Sequence, residues 1–294
     1  MVDRTTGPLW RLSNLRTVMA AERRPTGIRL LGRYGLLLFV AFATLFPIYT
    51  TLVAAFKPGD QVLVNPLLPD SFTLEPIMTA WSDGNLGRYL FNSLVVAVVV
   101  TVAQVVTSLL SGYAFAMLDF PGRNLAFALF LATLLVPIEA TLVVNRRTVD
   151  SLDWLNTYQG LAVPFLATAF GTFLIRQALL AVPGELRDAA RIDGAGHLAF
   201  LRYVALPIIV PTVGALALFS FLSSWNQYLW PNLITTEESM NTVQSGLTLL
   251  RRSSIDEPNA LMAGTVIAAV PIFVALLLFQ RSLVRGLTSG AVKG

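Results

Sequence analysis

Cysteine is absent from this chain and histidine occurs once, at His197. Disulfide frameworks and thiolate catalysis are thereby excluded, and haem, iron–sulfur and multi-histidine metal centres lose the ligands they need. The phosphate-cradling string Gly-x-x-x-x-Gly-Lys-Ser/Thr is missing as well, so nucleotide hydrolysis cannot be assigned to this polypeptide. Charge is scarce: Asp, Glu, Lys and Arg make up 13% of the 294 residues against 55% hydrophobic, and mean hydropathy is +0.66. That balance is too apolar for an ordinary soluble domain and puts the chain in the membrane class. A net charge of +4 then says little about partners, and nucleic acid is not implied, because the distribution of Lys and Arg between loops matters more than their sum.

What the chain does have is a series of apolar segments. Six, at about 34–56, 92–116, 124–144, 157–180, 206–230 and 260–281, approach the roughly 20 residues needed to cross a hydrocarbon core of about 30 Å. Pro47, Pro137, Pro164, Pro211 and Pro271 inside them, with Ser108, Ser111, Gly112, Gly171, Gly214 and Gly264, suit helices that pack on one another and satisfy each other's freed carbonyls. The expected fold is therefore all-α, a polytopic membrane protein of six transmembrane helices. Of the 21 Lys and Arg residues, only Lys57, Arg88, Arg146, Arg147, Arg251 and Arg252 fall outside when the N-terminus is placed inside. The positive-inside rule then puts both termini in the cytoplasm. The reading divides the chain into a basic cytoplasmic segment at 1–33, a first span with its outer loop at 34–84, a core at 85–281 and a cytoplasmic tail at 282–294.

One cytoplasmic stretch, Pro183 to Pro207, is polar between two apolar segments. Pro183 suits a first helical position, Glu185 and Asp188 put negative charge near a helix start, and Gly194 and Gly196 supply a break. A second short helix is expected over about 197–205. Leu198, Leu201, Val204 and Ala205 would press on the bundle while His197 and Arg202 face outward. The plain reading is an amphipathic interfacial loop.

A second reading rests on resemblance. Glu185-Leu-Arg-Asp188-Ala189-Ala190-Arg-Ile-Asp193-Gly194-Ala195, continuing through Phe200 to Leu206-Pro207, resembles the EAA loop of permease subunits in binding-protein-dependent ABC importers. Asp188 stands where that motif usually has Glu. The resemblance implies a type-1 permease fold and a coupling role for Glu185, Asp188, Ala189, Ala190, Asp193, Gly194, Ala195 and His197. It also implies docking of this loop on a separate ATPase. Small Ala189 and Ala190 would permit close approach, and a rigid helical knob would pass on a displacement. His197 could equally be a solvated helix-start residue.

Over residues 85–290 the similarity extends to the carbohydrate-uptake branch, which includes the maltose permeases. It is carried by Leu155-Asn156-Thr157-Tyr158-Gln159-Gly160-Leu161, Trp225-Asn226-Gln227-Tyr228-Leu229-Trp230-Pro231 and Gln280-Arg281-Ser282-Leu283-Val284-Arg285-Gly286-Leu287. Within it, Leu135-Val136-Pro137-Ile138-Glu139 and Thr172-Phe173-Leu174-Ile175-Arg176-Gln177 look most like the second permease of the glycerol-3-phosphate or glycerophosphodiester importer, with a disaccharide importer as the near alternative. The resemblance implies a homologous second permease and an external solute-binding protein as partners. It also implies two ATPase subunits that carry ATP and Mg, leaving no cofactor on this chain and no enzyme activity of its own. Binding-protein docking is expected on 57–91 and 232–259, with the C-terminal tail reaching the ATPase.

Glu139 is the one carboxylate placed inside a span, about 15 residues or roughly 22 Å from the start of its helix, toward the outer end. It would line a substrate path, suited to a glycerol hydroxyl or a cation, or pair with Arg146 or Arg147. Asn226, Gln227, Tyr228 and Trp230 offer hydrogen bonds and aromatic faces for a polyol, although Trp225 and Trp230 also suit ordinary interfacial anchors. Arg176 is expected to snorkel or meet phospholipid. A stand-alone secondary transporter would call for inverted repeats or more intramembrane ionisable groups than the sequence offers.

Overall fold

A computed structural model describes residues 27–59, 67–68, 71–82, 84–253 and 258–288. Expectations for the basic N-terminal tail, for parts of the outer loop and for the last residues of the C-terminal tail lie outside them. Among the described residues the regular structure is helical throughout. The first helix, α1 (Gly27–Ala54), carries Arg29 and Arg33 near its start, has no charged residue beyond them and contains Pro47. Thr44 and Thr50 hydroxyls donate to the carbonyls of Val40 and Pro47 within that helix, satisfying groups that lipid could not.

Residues from Thr51 onward form a unit of their own. It contains α2 (Glu75–Ser82), α3 (Leu86–Met117), α4 (Arg123–Ala132), α5 (Ile138–Ser151), α6 (Tyr158–Ala162), α7 (Ala169–Leu180), α8 (Gly184–Ile192), α9 (His197–Phe200), α10 (Leu206–Trp225), α11 (Leu229–Ile234), α12 (Val243–Ser253) and α13 (Pro258–Thr288). By length and composition the described residues offer four membrane-crossing helices, or up to six if two bent pairs each count as one span.

Those bent pairs are the segments expected as spans at 124–144 and 157–180, each broken near its proline. Between Arg123–Leu135 and Ile138–Ser151 the axis turns by 96°. Pro137 has no N–H to donate and its ring pushes Val136 out of helical dihedrals, to ψ 115. Between Tyr158–Phe165 and Ala169–Leu180 the bend is 46°. Here α3 repairs the break: the Gln104 amide donates to the carbonyl of Phe165 at 2.8 Å and the Thr107 hydroxyl to that of Leu166 at 3.1 Å. A correction concerns the fifth span. The stretch expected as a separate short helix at 197–205 runs through a π turn, Leu201–Ala205, into α10, so His197–Trp225 is continuous and ends before 230.

The inner helices are α3, α7 and α10, packed through Tyr113, Ile175, Leu179, Ala205, Ile209 and Leu216 at one end. Leu86, Tyr89, Trp225, Val243 and Ala263 pack together at the other. Small residues set the spacing, as expected where lipid gives no hydrophobic drive between helices. A Cβ on Gly171 would collide with the Ser108 hydroxyl and approach the Thr168 methyl to 2.8 Å, and one residue on Thr172 bonds Ser111 at 2.7 Å. Gly171→Val is therefore expected to force α3 and α7 apart. Size-exclusion profile and thermal midpoint in detergent should both deteriorate, by an overpacking cost of about 1–3 kcal/mol.

Candidate functional site

The polar stretch after α7 folds as the sequence chemistry demands. Pro183 precedes α8, Glu185 lies in its first turn and Arg191 in its last, so both charges complement the helix dipole. The helix stops by a Schellman turn: Gly194 N–H donates to Arg191 at 3.1 Å and Ala195 N–H to Ala190 at 2.8 Å. Gly194 takes the left-handed residue this requires, with φ +77°. Ala190 is buried against Tyr113, Val182 and Phe200. Glu185, Arg187, Asp188, Ala189, Arg191 and Asp193 are exposed, and Ile192 is 87% exposed. An apolar side chain left in solvent beside two carboxylates, on a helix whose end is pinned, is a rigid presented surface.

The second half of the stretch departs from expectation. Leu198 is 72% exposed, whereas Phe200, Leu201 and Ala205 are buried. Phe200 and Leu201 fix the inward face, and Leu198, two residues or about 200° before Phe200, is carried to the outside. His197 is exposed, as expected, and its Nδ1 also lies 3.0 Å from Tyr113 Oη. Arg202 faces outward as expected, its guanidinium 5.5 Å from the Tyr203 ring. A cavity of about 500 Å³ opens between α8 and the turn after α3, lined among others by Tyr113, Asp119, Arg187, Arg191 and His197. Asp119 is paired with Arg123 at 2.9 Å.

The candidate pathway residues differ in exposure. Glu139 is exposed in the first turn of α5, just beyond the Pro137 break. Its depth cannot be counted along a straight helix, because the axis turns there, and its carboxylate instead has the favourable position at a helix N-terminus. Neither Arg146 nor Arg147 pairs with it. Asn226 is exposed, its amide donating to Leu222 at 2.9 Å while Gln244 donates to its oxygen at 3.4 Å. Gln227 and Tyr228 are half-buried in the turn before α11. Trp230 is 1% exposed and donates its indole N–H to Gly160 at 3.1 Å, so its ring is packing and offers no face to a solute. Trp225 is likewise buried, bonded to Ala268, and neither is an interfacial anchor. Arg176, half-buried, is held within the protein: its Nε donates to Phe115 at 3.3 Å and its guanidinium lies 4.3 Å from the Phe127 ring centroid.

Sequence reasoning missed a polar hub at the far end of α3. Asn92 is fully buried; its amide donates to Ser239 and Asn241 at 2.8 and 2.9 Å, and Tyr158 donates to its oxygen at 2.7 Å. Asn156, at φ +55°, accepts from the N–H groups of Thr236 and Glu237 at 2.7 and 3.0 Å. The strings 155–161 and 225–231 are thus clamps that hold loops at this end together. The one signal available was a lone Asn in an apolar helix. By helical rise, Asn92 and Tyr113 are about 32 Å apart along α3, close to the thickness of a hydrocarbon core.

A helical bundle of four to six apolar spans, two of them bent, that ties Asn92, Trp225 and Trp230 into internal clamps and presents a pinned helix between two spans, has the architecture of a membrane permease. The chain belongs to the family described as binding-protein-dependent transport system inner membrane components, which matches residues 36–289. It is similar to permease protein UgpE of the sn-glycerol-3-phosphate transport system. To that of Yersinia enterocolitica it is 39% identical over 253 residues, 83% of this chain and 90% of the relative. To that of Brucella abortus it is 35% identical over 277 residues, covering 90% and 98%. Its fold is that of a chain in the crystal structure of a bacterial ABC transporter that imports the acidic polysaccharide alginate, with TM-score 0.75 at 21% identity, covering 87% of this chain and 99% of that one. A second structure, the alginate transporter in complex with an alginate pentasaccharide-bound periplasmic protein, aligns with TM-score 0.63 at 14% identity, covering 93% and 96%.

Proposed function

We propose that this chain is one of two homologous permease subunits of an ATP-driven importer for sn-glycerol-3-phosphate or glycerophosphodiesters, forming half of the translocation pathway. The observation that carries the coupling part is the exposed helix α8, pinned at its end by Gly194 and presenting Glu185, Asp188, Ala189 and Ile192. It suits docking on a separate ATPase, two copies of which would hold ATP and Mg. The relatives' transport of sn-glycerol-3-phosphate, as their names print it, supports the substrate class over a disaccharide. With both termini cytoplasmic, α8 faces the ATPase and the loops around Asn156 and Ser239 face an extracytoplasmic solute-binding protein. Glu139, Asn226, Gln227 and Tyr228 are the candidate pathway contacts. Residues 183–207 remain the coupling loop of a core at 85–281, between the basic segment and the C-terminal tail.

The test is ATPase activity of the full complex in lipid vesicles with its binding protein, screened over sn-glycerol-3-phosphate, a glycerophosphodiester and a disaccharide. Stimulation by the first two is expected. Stimulation by the disaccharide alone would replace the substrate class, and a chain that retains no ATPase subunit would overturn the whole reading.

A further inference from the structure

The segment 183–207 is attached to the inner helices in three ways. Backbone joins it directly to α7 at one side and to α10 at the other. Ala190, Phe200 and Leu201 are buried in the cluster that includes Tyr113, Leu179 and Val182. Such apolar contacts are non-directional. The third attachment is directional: the hydrogen bond between Tyr113 Oη and His197 Nδ1, 3.0 Å long, with the rings edge to face at 6.0 Å. Among the described residues it is the one side-chain hydrogen bond that links 183–207 to the rest of the chain. It reaches α3, the inner helix to which the segment has no adjoining backbone.

We infer that Tyr113 and His197 are a positioning pair that makes α3 follow the coupling segment. This rests on the coupling role proposed for 183–207. Tyr113 is buried near the end of α3, so its ring is held by packing and its hydroxyl acts as a fixed post. His197 opens the helix that continues into α10, so a displacement entering through α8 reaches it one tight turn later. The α3 helix is locked to α7 by Ser111 and Thr172, and its far end carries Asn92 and Ser93, which hold Ser239, Asn241 and Val243. With the bond, α3, α7 and α10 move as one body, and the loops at the other end move with them. Without it, α3 has no directional link to the segment itself and follows only through its packing and hydrogen bonds to α7.

The complex in vesicles, with sn-glycerol-3-phosphate as the probe, tests this by the ratio of solute transported to ATP hydrolysed. Tyr113→Phe keeps the ring and removes one oxygen. It is expected to lower that ratio about 5-fold, the equilibrium equivalent of one net hydrogen bond, with assembly and thermal midpoint near wild type. His197→Leu should do the same, and the double variant should be no worse than either single one. His197→Asn, whose amide can reach the Nδ1 position, should recover most of the ratio. A Tyr113→Phe complex with the wild-type ratio overturns the inference, as do additive effects of the two substitutions. These failures are distinct from failure of the coupling reading, which a wild-type chain unable to hold an ATPase subunit would signal.

Discussion

Gly194→Val is expected to cut uptake by at least about 10-fold while the protein still inserts into the membrane in normal amounts. Gly194 sits at φ +77°, and a Cβ built there meets nothing within 4 Å. The penalty is therefore backbone strain rather than collision, of about 1–3 kcal/mol for a non-glycine residue in that region and toward the upper end for a β-branched one. Relief of that strain unwinds the Schellman turn, releasing the N–H groups of Gly194 and Ala195 from Arg191 and Ala190. The exposed face of α8 then loses its fixed angle to the bundle. A penalty of this size corresponds to roughly 5- to 150-fold in the population of the docking-competent turn. Gly194→Asn, which tolerates the left-handed region, should retain much more activity than Gly194→Val. Uptake, immunoblot of the membrane fraction and co-purification of the ATPase measure the three quantities separately. Wild-type uptake by the valine variant would show that the turn need not be rigid.

The contrast between the two ends of the bundle explains what could be read from the sequence. The α8 unit is built from local rules: a proline before the helix, an acidic first turn, a glycine where the chain must turn left-handed. Each such rule acts within about five residues, so the helix, its stop and its exposed face were legible. The continuation of 197–205 into α10 was not, because Gly196 announces a break and only the burial of Phe200, Leu201 and Ala205 on α3 and α7 decides the register. The broken spans are a similar case. Pro137 and Pro164 were visible, but membrane helices tolerate proline when a neighbour satisfies the freed carbonyls. At Phe165 and Leu166 that neighbour is α3, through Gln104 and Thr107, some sixty positions earlier in the chain. Trp230 shows the limit on the chemical side. Its position in an aromatic and polar string suggested a surface for a polyol, whereas the indole N–H is satisfied by the Gly160 carbonyl inside the protein. Amphipathic side chains alone do not reveal whether the polar end meets solute or backbone.

Asn92 makes the second large prediction. Asn92→Leu keeps the branched side-chain skeleton, but it leaves the Tyr158 hydroxyl without its acceptor and the Asn241 carbonyl without its donor, while Ser239 keeps only Arg88 Nε. Deleting one partner of a buried network costs more than the bond was worth, because the groups left behind stay desolvated. A loss of roughly 2–4 kcal/mol is expected, read as a lowered thermal midpoint in detergent and as faster proteolysis between residues 236 and 242. Tyr158→Phe strands one buried acceptor, the Asn92 oxygen, and leaves the amide's two bonds intact, so it should cost less, about 1–2 kcal/mol. The double variant should fall short of the sum, since both substitutions break the same bond. The damage should also be one-sided. The Ser111–Thr172 and Tyr113–His197 bonds lie toward the other end of α3 and do not involve Asn92. ATPase association is therefore expected to survive Asn92→Leu, while stimulation by the loaded binding protein falls. Equal loss of both would mean that α3 responds as a single cooperative unit, with no division of labour between its ends.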